Sequence, residues 1–229
     1  MVLPFIPALI SASAAIMSTV STIGATVSTF VASVGPTLAG ILSKAGPMIE
    51  KVARFANTFL EIASILQQGE DVRHLGDRAL QAANAPEPKK PENYSSSTEY
   101  LAAIREFKLN PEVSSKTKEE TKLVAGLAIS ELAIKEKFNI KEGALVGLWL
   151  LPLVNDKYFT PAKVFDLVSA GSLAGNVFNY LEGKLSLGGE QKFTSQLGSA
   201  MEKDERAELY KELDVSREAW NELKQTIEK

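Results

Sequence analysis

The 229-residue chain has no cysteine and a single histidine, and its first 43 residues carry no charged side chain. The missing cysteine excludes disulfides, thiolate nucleophiles and Cys-based zinc or iron–sulfur sites, and is silent on compartment. With one histidine, a Ser-His-Asp triad would have to use His74, and no GxSxG elbow is present to offer it a serine. Neither GxxxxGK[ST] nor GxGxxG occurs, so nothing points to a bound nucleotide. No run of Lys or Arg could neutralise a series of phosphates, and no nucleic-acid partner is expected. No enzyme, metal or cofactor is expected.

Net charge is -3, spread unevenly. Residues 1–69 hold only Lys44, Glu50, Lys51, Arg54 and Glu61, leaving that part at +1 and the remainder at -4. The apolar start is a poor secretory leader: its first basic residue is Lys44, and Pro4 and Pro7 interrupt the usual apolar run. The expectation is synthesis in the cytoplasm without a secretory leader.

From Ala8 to Val34 there is neither proline nor charge. As one helix of 27 residues this stretch would run roughly 40 Å at about 1.5 Å per residue, more than a bilayer core. Leu9, Ile16, Val20, Ile23, Val27, Phe30 and Val34 fall mostly in alternating steps of four and three, a helical stripe. The other side offers Ser11, Ser18, Thr22, Thr26, Thr29 and Ser33. A phrase repeats seven residues apart, STVSTIG and ATVSTFV, as suits helices from several copies packing together. β-Branched Thr and Val form helices only moderately well in water, so the segment needs packing or lipid.

A second helix is expected over about 47–68, with Gly69 as its cap, followed by a short third helix near His74. The stretch APEPKKPENYSSST reads as a linker. Beyond it, Ser96 with Glu99 and Thr117 with Glu120 offer capping boxes, and Thr160-Pro161 an N-cap with Pro at the first helical position. No segment alternates with period two. The expected fold is all-α: an uncharged helical hairpin at 1–69, a polar segment and linker at 70–97, and a helical bundle at 98–229.

Other motifs are better explained by structure than by chemistry. Asp71, His74 and Asp77 could share a helix face and hold a metal, but a solvated polar turn explains them more simply. Ser115 and Lys118 satisfy SxxK in a charged helix start, without the burial that makes a lysine a base. Gly143 with Gly147 and Gly171 with Gly175 have GxxxG spacing and read mainly as close-packing points of a soluble core.

Three environments suit the uncharged helix: a core made by its own chain, a homo-oligomeric seam, or a bilayer. The last two combine if several copies turn their apolar stripes outward and their Ser/Thr faces inward around a narrow polar pore. Lys44, Lys51 and Arg54 would then sit at one interface beside anionic lipid. A charge at Val20 or Val27 is expected to abolish membrane activity while the part beyond residue 98 stays folded.

This pattern, confined to the first 66 residues and tied to no diagnostic motif, resembles bacterial pore-forming effectors, particularly the small membrane-depolarising toxins delivered by type VI secretion. It is also slightly similar to colicin pore domains, whose apolar hairpin is central and longer than GALVGLWLLPLV, broken here at Pro152. The resemblance implies a target-cell membrane, an immunity protein in the producing cell and passage through a secretion tube. The alternative is a structural or ejected helical component of a phage or contractile injection machine, where homo-oligomeric packing replaces lipid.

Overall fold

A computed structural model of the chain describes residues 7–140, 145, 147–173, 177–199 and 201–228, with side chains from residue 13 to 226 within those ranges. The described residues form thirteen α-helices and no strand. They are α1 (Pro7–Ser21), α2 (Ser28–Ala32), α3 (Gly35–Lys44), α4 (Gly46–Ile62), α5 (Val72–Ala83), α6 (Ser97–Arg105) and α7 (Pro111–Lys116). After them come α8 (Glu119–Lys137), α9 (Leu151–Asn155), α10 (Pro161–Ser169), α11 (Val177–Leu181), α12 (Leu187–Leu197) and α13 (Lys203–Glu228). The all-α expectation holds.

The centre of the molecule is α8. Its sequence from Thr121 to Glu131 is apolar or small nearly all round, and every residue in that run is buried. A helix with no polar face must be enclosed by others. Here α1, α3, α4, α5 and α6 do so. The tightest crossing is α5 on α8, where a Cβ placed on Gly76 would strike the Lys122 carbonyl and lie 2.5 Å from the Gly126 nitrogen. The two glycines let backbone meet backbone.

A second group packs on the far side of α4: α9 against α4 and α13, α10 against α4, and α11 against α13. Trp149 stands edge-on to Phe59 of α4 at 6.0 Å. Trp220 of α13 donates its indole N–H to Glu182 at 2.7 Å, and Arg217 of α13 pairs with Glu190 at 2.6 Å. Residues from Ile16 to Trp220 belong to one continuous apolar core.

Several boundaries differ from the sequence reading. The stretch from Ala8 to Val34 is not one helix: α1 stops at Ser21, a 3-10 turn covers Ala25–Val27, and α2 follows. The second helix ends at Ile62, because Ser64 turns at φ 51 before Gly69 is reached. Thr117 does not cap α8; its hydroxyl bonds to the Val113 carbonyl and Lys118 occupies the cap position. Ser96 does cap α6, but Glu99 reaches back to Ser95 instead of Ser96. Thr160 caps α10 as its spacing predicts, accepting from the Lys163 N–H. Pro152 lies in the first turn of α9, where a missing N–H costs nothing, so it starts a helix instead of interrupting one.

The two GxxxG spacings also read differently. Gly147 adopts φ 97 and approaches the Phe178 backbone, while Gly171, at φ 67, ends α10 in open space. Their partners Gly143 and Gly175 lie outside the described residues.

Candidate functional site

The charge-free segment splits cleanly into two faces. Ile16, Val20, Ile23, Val27, Phe30 and Val34 are all buried in the core, with Val20, Ile23 and Val34 at 0 % exposure. Each such side chain removed from water contributes on the order of 1.5–3 kcal/mol. In this conformation the stripe faces the chain's own core, with α1 laid on α3 and α8. Ser18 and Thr26 are exposed, and Thr22, Thr29 and Ser33 are partly so. The side chains at Leu9 and Ser11 lie outside the described residues.

The outer face has no ion to hold it in water, but four of its hydroxyls are bonded within the segment. Thr19 donates to the Ala15 carbonyl at 3.0 Å, Ser21 to Ser18 at 2.8 Å, Thr22 to Thr19 at 2.7 Å and Ser33 to Thr29 at 2.6 Å. A hydroxyl already bonded one turn back leaves its donor satisfied when water is withdrawn. At those four positions the donors stay satisfied in water and in an apolar medium alike.

The break between α1 and the 3-10 turn is held from elsewhere in the chain. Gly24 takes φ 152 and ψ 177. The Glu92 carboxylate sits against it and accepts the Ala25 N–H at 3.3 Å. Beside it, Asn84 donates to Thr22 Oγ1 at 3.1 Å. Glu92 belongs to the segment read as a linker, which lies along the body as a strap. Lys89 bonds back to Ala82, Tyr94 packs on Tyr100 at 5.6 Å, and the Ser97 N–H reaches Glu136 at 2.6 Å.

The basic residues lie at the end of α3 and on α4. Lys44 ends α3 and is exposed, Lys51 pairs with Asp156 at 3.1 Å, and Arg54 is exposed on α4. No single helix among the described residues is long and apolar enough to cross a membrane. Ala25–Ala32 and Gly35–Lys44, bent by 67°, reach that length and composition together.

Asp71, His74 and Asp77 are not brought together. Asp71 caps α5 through the Arg73 N–H at 2.7 Å and also receives Arg73 and Asn57 side chains. Burial works to raise its pKa, but these hydrogen bonds and the Arg73 charge outweigh it and hold the carboxyl below its ordinary value. Asp77 is buried and takes hydrogen bonds from Ser114 and Gln81, while His74 is exposed. No group of three His, Cys, Asp or Glu among the described residues is placed to hold a metal ion. Ser115 donates its hydroxyl to the Glu112 carbonyl at 2.9 Å.

Sequence reasoning passed over the strap and the Gly24 break. A lone glycine in a proline-free helical pattern was the available signal for the break; nothing local pointed to Glu92. Against known proteins, the chain matches no family model, no curated protein and no solved structure.

Proposed function

We propose that the protein is a pore-forming, membrane-depolarising bacterial effector that carries its pore segment folded into its own core. The observation behind this reading is the two-faced, charge-free segment: a buried apolar stripe backed by a Ser/Thr face on which Thr19, Ser21, Thr22 and Ser33 already bond within the segment. In the membrane, residues 1–69 form the inserting helical hairpin and several copies pack together. The stripe of Leu9, Ile16, Val20, Ile23, Val27, Phe30 and Val34 turns to lipid, and the Ser/Thr face lines the lumen. Lys44, Lys51 and Arg54 settle at the headgroups, Lys51 after leaving Asp156. The part beyond residue 98 stays in water as helices, which must repack around α8 once α1, α3 and α4 no longer cover it. An immunity protein and a secretion-tube component are the expected protein partners.

The test is single-channel recording and dye release with the full chain and anionic vesicles. Discrete conductance supports the reading. A defined oligomer in plain buffer, without conductance at any protein concentration, replaces it with the structural or ejected component of an injection machine.

A further inference from the structure

We propose that the Glu92 carboxylate is a latch that keeps the charge-free segment bent at Gly24, and that its release lets residues 8–34 close into one continuous helix. This regulation rests on the pore-forming reading. The residues from Ala8 to Val34 carry a single uninterrupted helical stripe and no proline, and Gly24 is the strongest local helix breaker among them. The bent form is tied by a residue 67 positions away from Ala25, which raises the barrier to leaving it. Glu92 supplies an acceptor to the Ala25 N–H, the first donor of the Ala25–Val27 turn. The bent form depends on glycine at residue 24 because φ 152 is a conformation that L side chains rarely adopt. Asn84, through Thr22, adds a second tie on the other side of the break.

Bent, the two halves of the stripe both reach the core around α8. Straight, the same residues line one face of a helix of roughly 40 Å, enough to span a bilayer. The strap thus decides between a form that hides the stripe and one that can present it to lipid.

The chain's lack of cysteine makes the test direct. Spin labels at the exposed positions of Ala14→Cys and Ala32→Cys report the separation of the two halves, which is about 27 Å in a straight helix. The expected result is a shorter distance in buffer and a shift to about 27 Å with phosphatidylglycerol vesicles. Glu92→Ala keeps the short distance in buffer and converts about tenfold faster with vesicles, the factor for losing one hydrogen bond to a charged group. As a second variant, Ala25→Cys with Glu92→Cys, both exposed, is bridged by a short bismaleimide. Bridged, it releases no dye; unbridged, it behaves as Glu92→Ala does.

Straightening without dye release overturns the pore reading and leaves the latch standing. Dye release from protein whose labels stay close, or release undiminished by the bridge, overturns the latch and leaves the pore. Glu92→Ala converting at the unmodified rate also overturns the latch.

Discussion

Gly76 of α5 and Gly126 of α8 meet face to face, close enough that a methyl group on either would strike the backbone of the other helix. This contact fixes how near the central helix approaches its main neighbour. Gly76→Ala or Gly126→Ala should push the helices apart and cost about 3 kcal/mol or more, since backbone, unlike a side chain, cannot move aside. Gly46→Ala, which meets nothing within 4 Å, should change stability by less than about 1 kcal/mol. Urea unfolding monitored by circular dichroism separates the two cases.

The stripe can be tested in plain buffer. Val20 is fully buried in the core that α1 shares with α8, so Val20→Asp places an unpaired carboxylate there. The expected loss is about 3 kcal/mol or more, with the region beyond residue 98 disturbed along with the N-terminus. This revises the expectation drawn from the sequence that such a change would leave the later part folded. Hydrogen exchange of α8 amides checks it: unchanged protection in Val20→Asp would contradict the packing.

Acid should loosen the fold at two carboxylates. Asp71 and Glu182 both titrate below their ordinary values, because hydrogen bonds and nearby cations outweigh burial. For Glu182 the donors are Trp220 and Lys224. A folded-state pKa below the unfolded one means the stabilisation is present above the unfolded value, 3.8 for Asp71 and 4.5 for Glu182, and is lost as pH falls through the folded values. Stability measured from pH 6 downward should therefore be flat at first and fall below about pH 4.5. Glu182→Gln should cost about 1–2 kcal/mol at neutral pH and make that fall shallower.

Helix type was legible wherever the pattern was local. The stripe from Ile16 to Val34, the Thr160 cap and the Ser96 cap all follow from spacing and side-chain chemistry within a few residues. What escaped was set over distance. At the split by Gly24, Glu92 accepts the Ala25 N–H, and the crossing at Gly76 depends on Gly126, partners far apart in sequence. GxxxG spacing pointed to Gly147 and Gly171 as close-packing points; Gly147 does meet the Phe178 backbone, at a positive φ, whereas Gly171 supplies only a positive φ. The proline-rich stretch has the composition of a spacer, but Tyr94, Glu92 and the Ser97 N–H each find a partner on the body. For the candidate segment, the two faces were readable from periodicity. Which of three environments buries the stripe was not, because apolar side chains suit a core, a seam and a lipid tail alike.

The exposed hydroxyl face gives the most direct test of the pore account. Thr26 is exposed, so a charge there leaves the water-soluble fold within about 0.5 kcal/mol of the original. In the proposed pore the same position faces the lumen, where a ring of charge sets which ions pass. The measurement is the reversal potential across a planar bilayer under a salt gradient for the unmodified protein, Thr26→Asp and Thr26→Lys. The account predicts discrete currents from all three, with Asp moving selectivity toward cations and Lys toward anions. Absence of current from the unmodified chain, or currents whose reversal potential is the same in all three, would contradict it.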